Sequence, residues 1–141
     1  MNALLSYLYA VVAGECAAAA LAAGLDPTVG FLHAERPGRP ALALDLLEPF
    51  RPVIADAVAL AVVNRGEIRP EHFERADGAV RLNNRGRRVV LAALERRFGD
   101  AVPARSARDT PMNWREAVAA QARKFAKALR SGEPFVSFER G

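Results

Sequence analysis

The feature that most constrains the fold is a long apolar segment at the start of the chain, residues 1–24. Gly24 and the Asp26-Pro27 pair that follows are typical of a helix end. The segment therefore predicts a first helix from about Asn2 to Ala23. It has no basic leader and carries Glu15 in its middle, which favours a core helix over a signal peptide or a membrane span. Its predicted face has the spacing i, i+4, i+7, i+11, at Leu4, Leu8, Val11 and Glu15.

Such a helix needs partners, and the composition suggests that they are helical too. The 141 residues, 51% of them apolar, fit one ordinary domain with a sizeable core. Alanine, leucine and arginine dominate, whereas isoleucine, threonine and tyrosine are scarce. We therefore predict an all-α fold with a single domain over residues 1–141. The single cysteine, Cys16, excludes an intramolecular disulfide and a cysteine-rich metal cluster, and it fits a reducing cytoplasm.

Further helices are predicted after a loop at residues 25–40, which is rich in glycine and proline. A second helical stretch starts near Ala41, is broken or kinked by Pro49 and Pro52, and continues over residues 53–63. Residues 68–74 are interpreted as a short helical turn, and Asp77-Gly78 precedes a small extended piece. A helix capped by Asn83 or Asn84 ends at Gly99, and a last helix runs from Thr110-Pro111 to Gly132.

The segment most informative about chemistry is residues 30–52. His33 lies in a glycine and proline loop fifteen residues before Glu48, and Asp45 and Glu48 share one helical face at the border of an apolar surface. Carboxylates in that position need a cation. The cation is either an arginine, Arg51 or Arg39, or a divalent metal completed by His33. Spacing alone favours the structural ion pair.

The same segment resembles a known family. Gly30-Phe31-Leu32-His33, Gly38-Arg39-Pro40 and the acidic helix at residues 42–52 are similar to the histidine loop and acidic helix of the CRISPR adaptation integrase. The likeness extends over nearly the whole chain, at residues 2–7, 24–27, 64–66, 115–117 and 121–122.

The resemblance implies a metal-dependent DNA endonuclease and integrase that acts in spacer acquisition. It makes His33 and Glu48 ligands of Mg or Mn, with Asp45 as a nearby acid that assists, so that these three form the catalytic set. The implied partners are DNA, a second copy of the chain and the second CRISPR adaptation protein, with no membrane and a cytoplasmic location. The family's third ligand, a glutamate, lies upstream of the segment that matches residues 2–6, after a β-rich domain. We therefore expect this chain to be the helical carboxy-terminal catalytic domain, incomplete and weakly active alone.

Glu15 is a tempting substitute for that glutamate, but the family pattern does not place a ligand there. We expect Glu15 to be neutralised by a nearby basic group instead.

Basic residues form the second group of candidates. With a formal net charge of +4 the chain suits a nucleic-acid partner, although many soluble proteins have a similar charge. Arg36, Arg39 and Arg51 surround the predicted metal loop and are the better candidates for DNA contacts. In the last helix, Arg123, Lys127 and Arg130 share a face whose simplest interpretation is a solvated surface.

Two rival functions remain open at this point. One is a non-catalytic DNA-binding or assembly module, in which the acids pair with arginines. The other is a helix-turn-helix regulator, which is disfavoured because residues 30–40 are too long and proline-rich for a tight turn. His72, in a short turn after Pro70-Glu71, is interpreted as an ordinary surface histidine.

Overall fold

A computed structural model describes residues 1–26 and 41–132. In chain order, these residues form α1 (Asn2–Ala22), α2 (Ala41–Leu47), a 3-10 turn (Glu48–Phe50), a π-helical segment (Arg51–Asp56), α3 (Ala57–Asn64), a second 3-10 turn (Pro70–His72), β1 (Phe73–Ala76), β2 (Ala79–Leu82), α4 (Asn84–Gly99) and α5 (Trp114–Ser131).

Helix α1 is the element around which the others are arranged. It contacts α2, α3, α5, the π-helical segment and β2. Among the described helices, α1 is the one that is long and apolar enough to cross a membrane. Here its apolar face lies in the protein core, as predicted, although Val12 and not Val11 is the fully buried valine. The buried positions recur every three to four residues, at Leu4, Leu8, Val12, Cys16 and Ala20.

The prolines break the second helical stretch where the sequence predicted. A proline has no N–H to donate and its ring clashes with the preceding turn of an α-helix. Accordingly α2 ends at Leu47, Pro49 lies in a 3-10 turn, and Pro52 is the second residue of a π-helical segment. The break is held in the core by buried side chains, which are Phe50, Val53, Ile54 and Ala55.

The prediction of an all-α fold is wrong. β1 and β2 form an antiparallel two-stranded sheet in which Phe73 pairs with Leu82 and Ala76 with Ala79. The turn between them has positive φ at both central residues, 52° at Asp77 and 78° at Gly78. That backbone matches the right-handed twist of paired strands, and Asp-Gly is among the sequences that adopt it most readily. Local turn chemistry therefore overrides a composition that favours helices, and the predicted helical turn at residues 68–74 is reduced to Pro70–His72.

Close backbone contact joins this hairpin to α4. The side chain of Asn83 accepts a hydrogen bond from Gly86 N at 2.9 Å, and Asn83 N donates to the carbonyl of His72 at 2.9 Å. A Cβ atom on Gly86 would lie 2.5 Å from that carbonyl oxygen. His72 is buried, contrary to prediction, and its Nδ1 accepts a hydrogen bond from Arg69 N at 2.9 Å. His72 therefore has a structural role in the turn.

The last helix begins three residues later than the sequence predicted. Asn113 caps α5, because its side chain accepts from Glu116 N at 2.8 Å and Glu116 accepts from Asn113 N at 3.1 Å. This reciprocal capping box satisfies two backbone donors, which a start at Thr110-Pro111 would not do. The helix ends at Gly132, whose φ of 72° lies in the left-handed region, as predicted.

Candidate functional site

The predicted site residues divide between two parts of the chain. Asp45 lies on α2, and Glu48 and Arg51 lie on the turns that follow it. His33, Arg36 and Arg39 lie outside the described residues. The predicted approach of His33 to Glu48 therefore stays a prediction.

Glu48 forms an ion pair with Arg51. The Arg51 Nη1 atom lies 3.3 Å from Oε1 and 3.4 Å from Oε2 of Glu48. Both side chains are partly open to solvent, Arg51 being 40% and Glu48 43% exposed. An exposed pair of this kind contributes at most about 1 kcal/mol, so it cannot be the main reason for the local fold. The structural ion pair that spacing favoured is present, and the carboxylate still faces solvent.

Arg51 is fixed from its other side by Tyr9 of α1. Its guanidinium carbon lies 4.5 Å from the centre of the Tyr9 ring. Hydrogen bonding to the Tyr9 side chain is the largest cause that raises the pKa of Arg51, and the charge of Glu48 raises it further. The ring and the hydroxyl of Tyr9 together hold the guanidinium in place beside the carboxylate.

The Tyr9 hydroxyl continues this network to the far end of the π-helical segment. It donates a hydrogen bond to Asp56 Oδ1 at 2.6 Å, in a half-buried position. Glu48, Arg51, Tyr9 and Asp56 thus connect both ends of the proline break to α1. Sequence analysis missed Tyr9 and Asp56, although an acid inside the apolar run at residues 53–63 was a signal that some partner had to face it.

The described residues alone do not make a metal centre. No three histidine, cysteine, aspartate or glutamate side chains within residues 1–26 and 41–132 come together in a way that could hold a metal ion. Asp45 is half-buried, one turn before Glu48. Carboxylate oxygens are the right donors for Mg or Mn, so Glu48 and Asp45 fit such an ion chemically. A complete site at Glu48 needs a donor from outside the described part of the chain.

Glu15 belongs to a separate cluster. Arg115 of α5 lies 3.5 Å from Glu15 of α1 and 2.9 Å from Glu95 of α4, and its guanidinium lies 4.6 Å from the centre of the Phe98 ring. The hydrogen bond from Arg115 lowers the pKa of Glu95. The prediction that a basic group neutralises Glu15 is confirmed, although its side chain, at 36% exposed, is less buried than expected.

A third feature is an apolar cleft of about 880 Å³ between the start of α1, the end of α3 and the hairpin. It is remote in sequence from Glu48, and among the described residues Arg69 is the one charged side chain that lines it. The described lining therefore offers no carboxylate or imidazole for catalysis. Its lining includes Met1, Leu4, Val63, Ile68, Phe73 and Val80.

Comparison with known proteins identifies the family of the chain. The sequence model of the family described as CRISPR associated protein Cas1 matches residues 1–96, a range that includes His33, Asp45, Glu48 and the β-hairpin. An endonuclease named Cas1 2 from Rhodospirillum rubrum is 52% identical over 97 residues, which are 68% of this chain and 28% of that protein. The endonuclease named Cas1 3 from Thermus thermophilus is 43% identical over 130 residues, which are 91% of this chain and 38% of that protein.

Solved structures agree with the sequence comparison. A casposase bound to integration product superposes with a TM-score of 0.85 and 29% identity, covering 94% of this chain and 38% of that one. A Cas1 protein from Thermotoga maritima, 24% identical, shows the same fold with a TM-score of 0.83 over 96% of this chain and 42% of that one. The chain therefore spans well under half the length of these relatives.

Proposed function

The chain belongs to the Cas1 family of CRISPR-associated proteins, and from this premise we propose that it carries the catalytic part of a DNA endonuclease and integrase of spacer acquisition. The proposal rests chiefly on the family match over residues 1–96, which spans the histidine loop and the acidic helix together. The likeness to a casposase bound to integration product supports DNA joining as the reaction class. The placement of the chain in the carboxy-terminal part of the family's proteins belongs to the same proposal.

The proposed site has His33 and Glu48 as ligands of Mg or Mn, with Asp45 at its edge. Imidazole nitrogen and carboxylate oxygen are donors that Mn accepts, and Mg prefers the oxygens. When bound, such an ion polarises a phosphodiester and stabilises the leaving oxygen. Glu48 is suited to this role because the proline break places its carboxylate at an exposed turn.

Arg51 has two roles in this proposal. Its pairing with Glu48 orients that carboxylate, and its exposed fraction of 40% leaves guanidinium donors for a phosphate of DNA. We place Arg36 and Arg39 in the same DNA-contacting group. The ring of Tyr9 limits the movement of Arg51, so that the arginine need not be reordered when DNA arrives.

Partners follow from the family in the same way. We propose DNA as the substrate, and a second copy of the chain and a Cas2 protein as partners in assembly. One similar structure, 24% identical and therefore informative about fold alone, is described as a partial Cas6-RT-Cas1–Cas2 complex. We propose that the protein is located in the cytoplasm. Cys16 is a buried free thiol, which suits that reducing compartment.

A non-catalytic DNA-binding or assembly module remains the rival, because Glu48 already has a cationic partner in Arg51. The two functions differ in their need for metal. A pure binding module holds DNA equally well in Mn and in chelator, and it forms no cleaved or joined product. An integrase domain forms such products in Mn, although slowly here, because an ion held by two protein groups is bound mostly by water.

The test is Mn binding by the purified chain, measured by electron paramagnetic resonance, beside assays of cleavage and joining on branched DNA. We expect Glu48→Gln and His33→Ala to weaken Mn binding and to abolish any product. The matched control is Glu71→Gln, which removes an exposed carboxylate outside the proposed site. If the wild type and both site variants bind Mn equally, the proposed metal site does not exist, and metal-independent DNA binding without product would establish the rival.

A further inference from the structure

The carboxy-terminal half of α5 presents an uncompensated basic face. The buried side of the helix is set by Trp114, Val118 and Phe125, among others. At about 100° per residue, Arg123, Lys127 and Arg130 fall within an arc of about 60° on the opposite side. All three are exposed, as is Lys124, which lies about 60° outside the arc.

Among the described residues, no acid offsets these charges. The sequence has no aspartate or glutamate between residues 117 and 132, and the one acid of the helix, Glu116, caps its start. Within the part of the chain that the structure describes, none of the four cations forms an ion pair, whereas Arg51, Arg96 and Arg115 each have a carboxylate partner. The basic face of α5 is therefore a concentrated charge that no carboxylate of residues 1–26 and 41–132 neutralises.

Helix stability does not explain this arrangement. Cations interact favourably with the carboxy-terminal end of a helix dipole, but the effect is confined to the last turn. Arg130 lies in that turn, whereas Arg123 and Lys124 lie well before it. Repulsion among neighbouring cations on one helix face costs a few tenths of a kcal/mol per pair. A surface that costs stability and adds no internal contact is better explained by an external anion.

The dimensions fit a polyphosphate chain. Arg123 and Arg130 are about 10 Å apart along the helix axis. Double-stranded DNA carries one phosphate per about 1.7 Å of its axis, so about six phosphates lie within that length. Three flexible cations on one straight face can meet a curved phosphate backbone without a matching pocket.

We propose that the α5 face formed by Arg123, Lys127 and Arg130 binds the phosphate backbone of duplex DNA, as a surface separate from the Glu48 site. The choice of DNA over other polyanions rests on the proposed function. The charge of the face and its exposure are independent of that function. Contacts of this kind position a duplex without reading its sequence. The face would therefore hold DNA in register while a different part of the protein acts on it.

The experiment measures duplex binding by fluorescence anisotropy at several salt concentrations, in chelator, so that failure of the metal site does not affect the result. The test variant carries Arg123→Gln, Lys127→Gln and Arg130→Gln. Each lost phosphate contact lowers the slope of log affinity against log salt by about 0.9, so we expect a loss of about 2.7. If the two proteins bind DNA equally at 1 M salt, this difference in slope corresponds to a loss of affinity of about 500-fold at 0.1 M.

The matched control carries Arg75→Gln, Arg88→Gln and Arg108→Gln, which remove three other exposed cations and lower the net charge equally. We expect its slope to change by less than about 1. Equal losses in the two triple variants would show an effect of net charge only and would overturn the proposal. So would an unchanged affinity in the test variant, or a loss of binding to polyglutamate with DNA binding intact. Circular dichroism melts verify that both variants are folded.

Discussion

Removing the Tyr9 hydroxyl should destabilise the protein in a way that identifies the network behind Glu48. In Tyr9→Phe the ring remains, so its contact with Arg51 at 4.5 Å is kept. The hydrogen bond to Asp56 at 2.6 Å is lost, and the carboxylate is left half-buried without that donor. Hydrogen bonds to charged groups contribute about 1.5–3 kcal/mol, and partial exposure reduces this, so we expect a loss of about 1–2 kcal/mol.

The assay is urea unfolding followed by circular dichroism. For a slope of about 1–3 kcal/mol/M, the expected loss lowers the midpoint by about 0.5–1 M with the slope unchanged. Tyr7→Phe is the control, because Tyr7 is a half-buried tyrosine of the same helix that has no such contact with the described residues. We expect its effect to stay below about 0.5 kcal/mol.

Two further variants separate the contributions. Tyr9→Leu also removes the ring beneath Arg51 and should cost about 0.5–1 kcal/mol more. A double-mutant cycle with Asp56→Ala should give a coupling energy of about 1 kcal/mol, since the two side chains are in direct contact. If Tyr9→Phe is as stable as Tyr7→Phe, or if the coupling energy is zero, the network does not support the turn that carries Glu48.

Three other results are expected. Gly86→Ala should lower the free energy of unfolding in urea by about 1–3 kcal/mol, because the new Cβ would lie 2.5 Å from the His72 carbonyl oxygen. Gly14→Ala, whose Cβ would have nothing within 4 Å, should raise it by about 0.5–1 kcal/mol through helix propensity. Equal effects of the two substitutions would contradict the close approach at Gly86. Burial, with a smaller contribution from Glu15, raises the pKa of Cys16 from 9.0 to about 12. The neutral thiol is therefore favoured in the folded state, and the stability difference between wild type and Cys16→Ala should be constant below pH 9 and shrink between about pH 9 and pH 12; a flat difference would refute this. Glu15→Gln should leave Mn binding unchanged and lower the free energy of unfolding by less than about 1 kcal/mol, because only an exposed contact with Arg115 is lost. Loss of Mn affinity in a folded variant would show that Glu15 is a ligand.

Sequence patterns predicted the helices well where periodicity, prolines and caps acted together. The break at Pro49 and Pro52 was predictable because proline has the same effect in any helix. The hairpin was missed as a sheet because composition is an average, whereas the Asp77-Gly78 turn acts over four residues. The start of α5 was misplaced because Pro111 and Asn113 are competing signals, and the reciprocal bonds of Asn113 and Glu116 decide between them.

For the site, the pairing of Glu48 with Arg51 was predictable from local spacing, since the two residues are three positions apart. The contact between Tyr9 and Asp56 joins residues 47 positions apart in sequence. No periodicity within one element encodes such a contact, which depends on how α1 packs against the broken helix. The roles of His33, Arg36 and Arg39 remain predictions from the family resemblance.

The π-helical segment at Arg51–Asp56 also sets the rotation of the turn that carries Glu48 relative to helix α3. A π-helical turn contains one residue more than an α-helical turn, so it behaves as a single-residue insertion. Deleting one residue there would turn everything before it by about 100° relative to α3. Glu48 would then face another direction while Val58 and Val62 stayed in the core. The irregular turn thus allows the acidic turn and the apolar face of α3 to be oriented independently of each other.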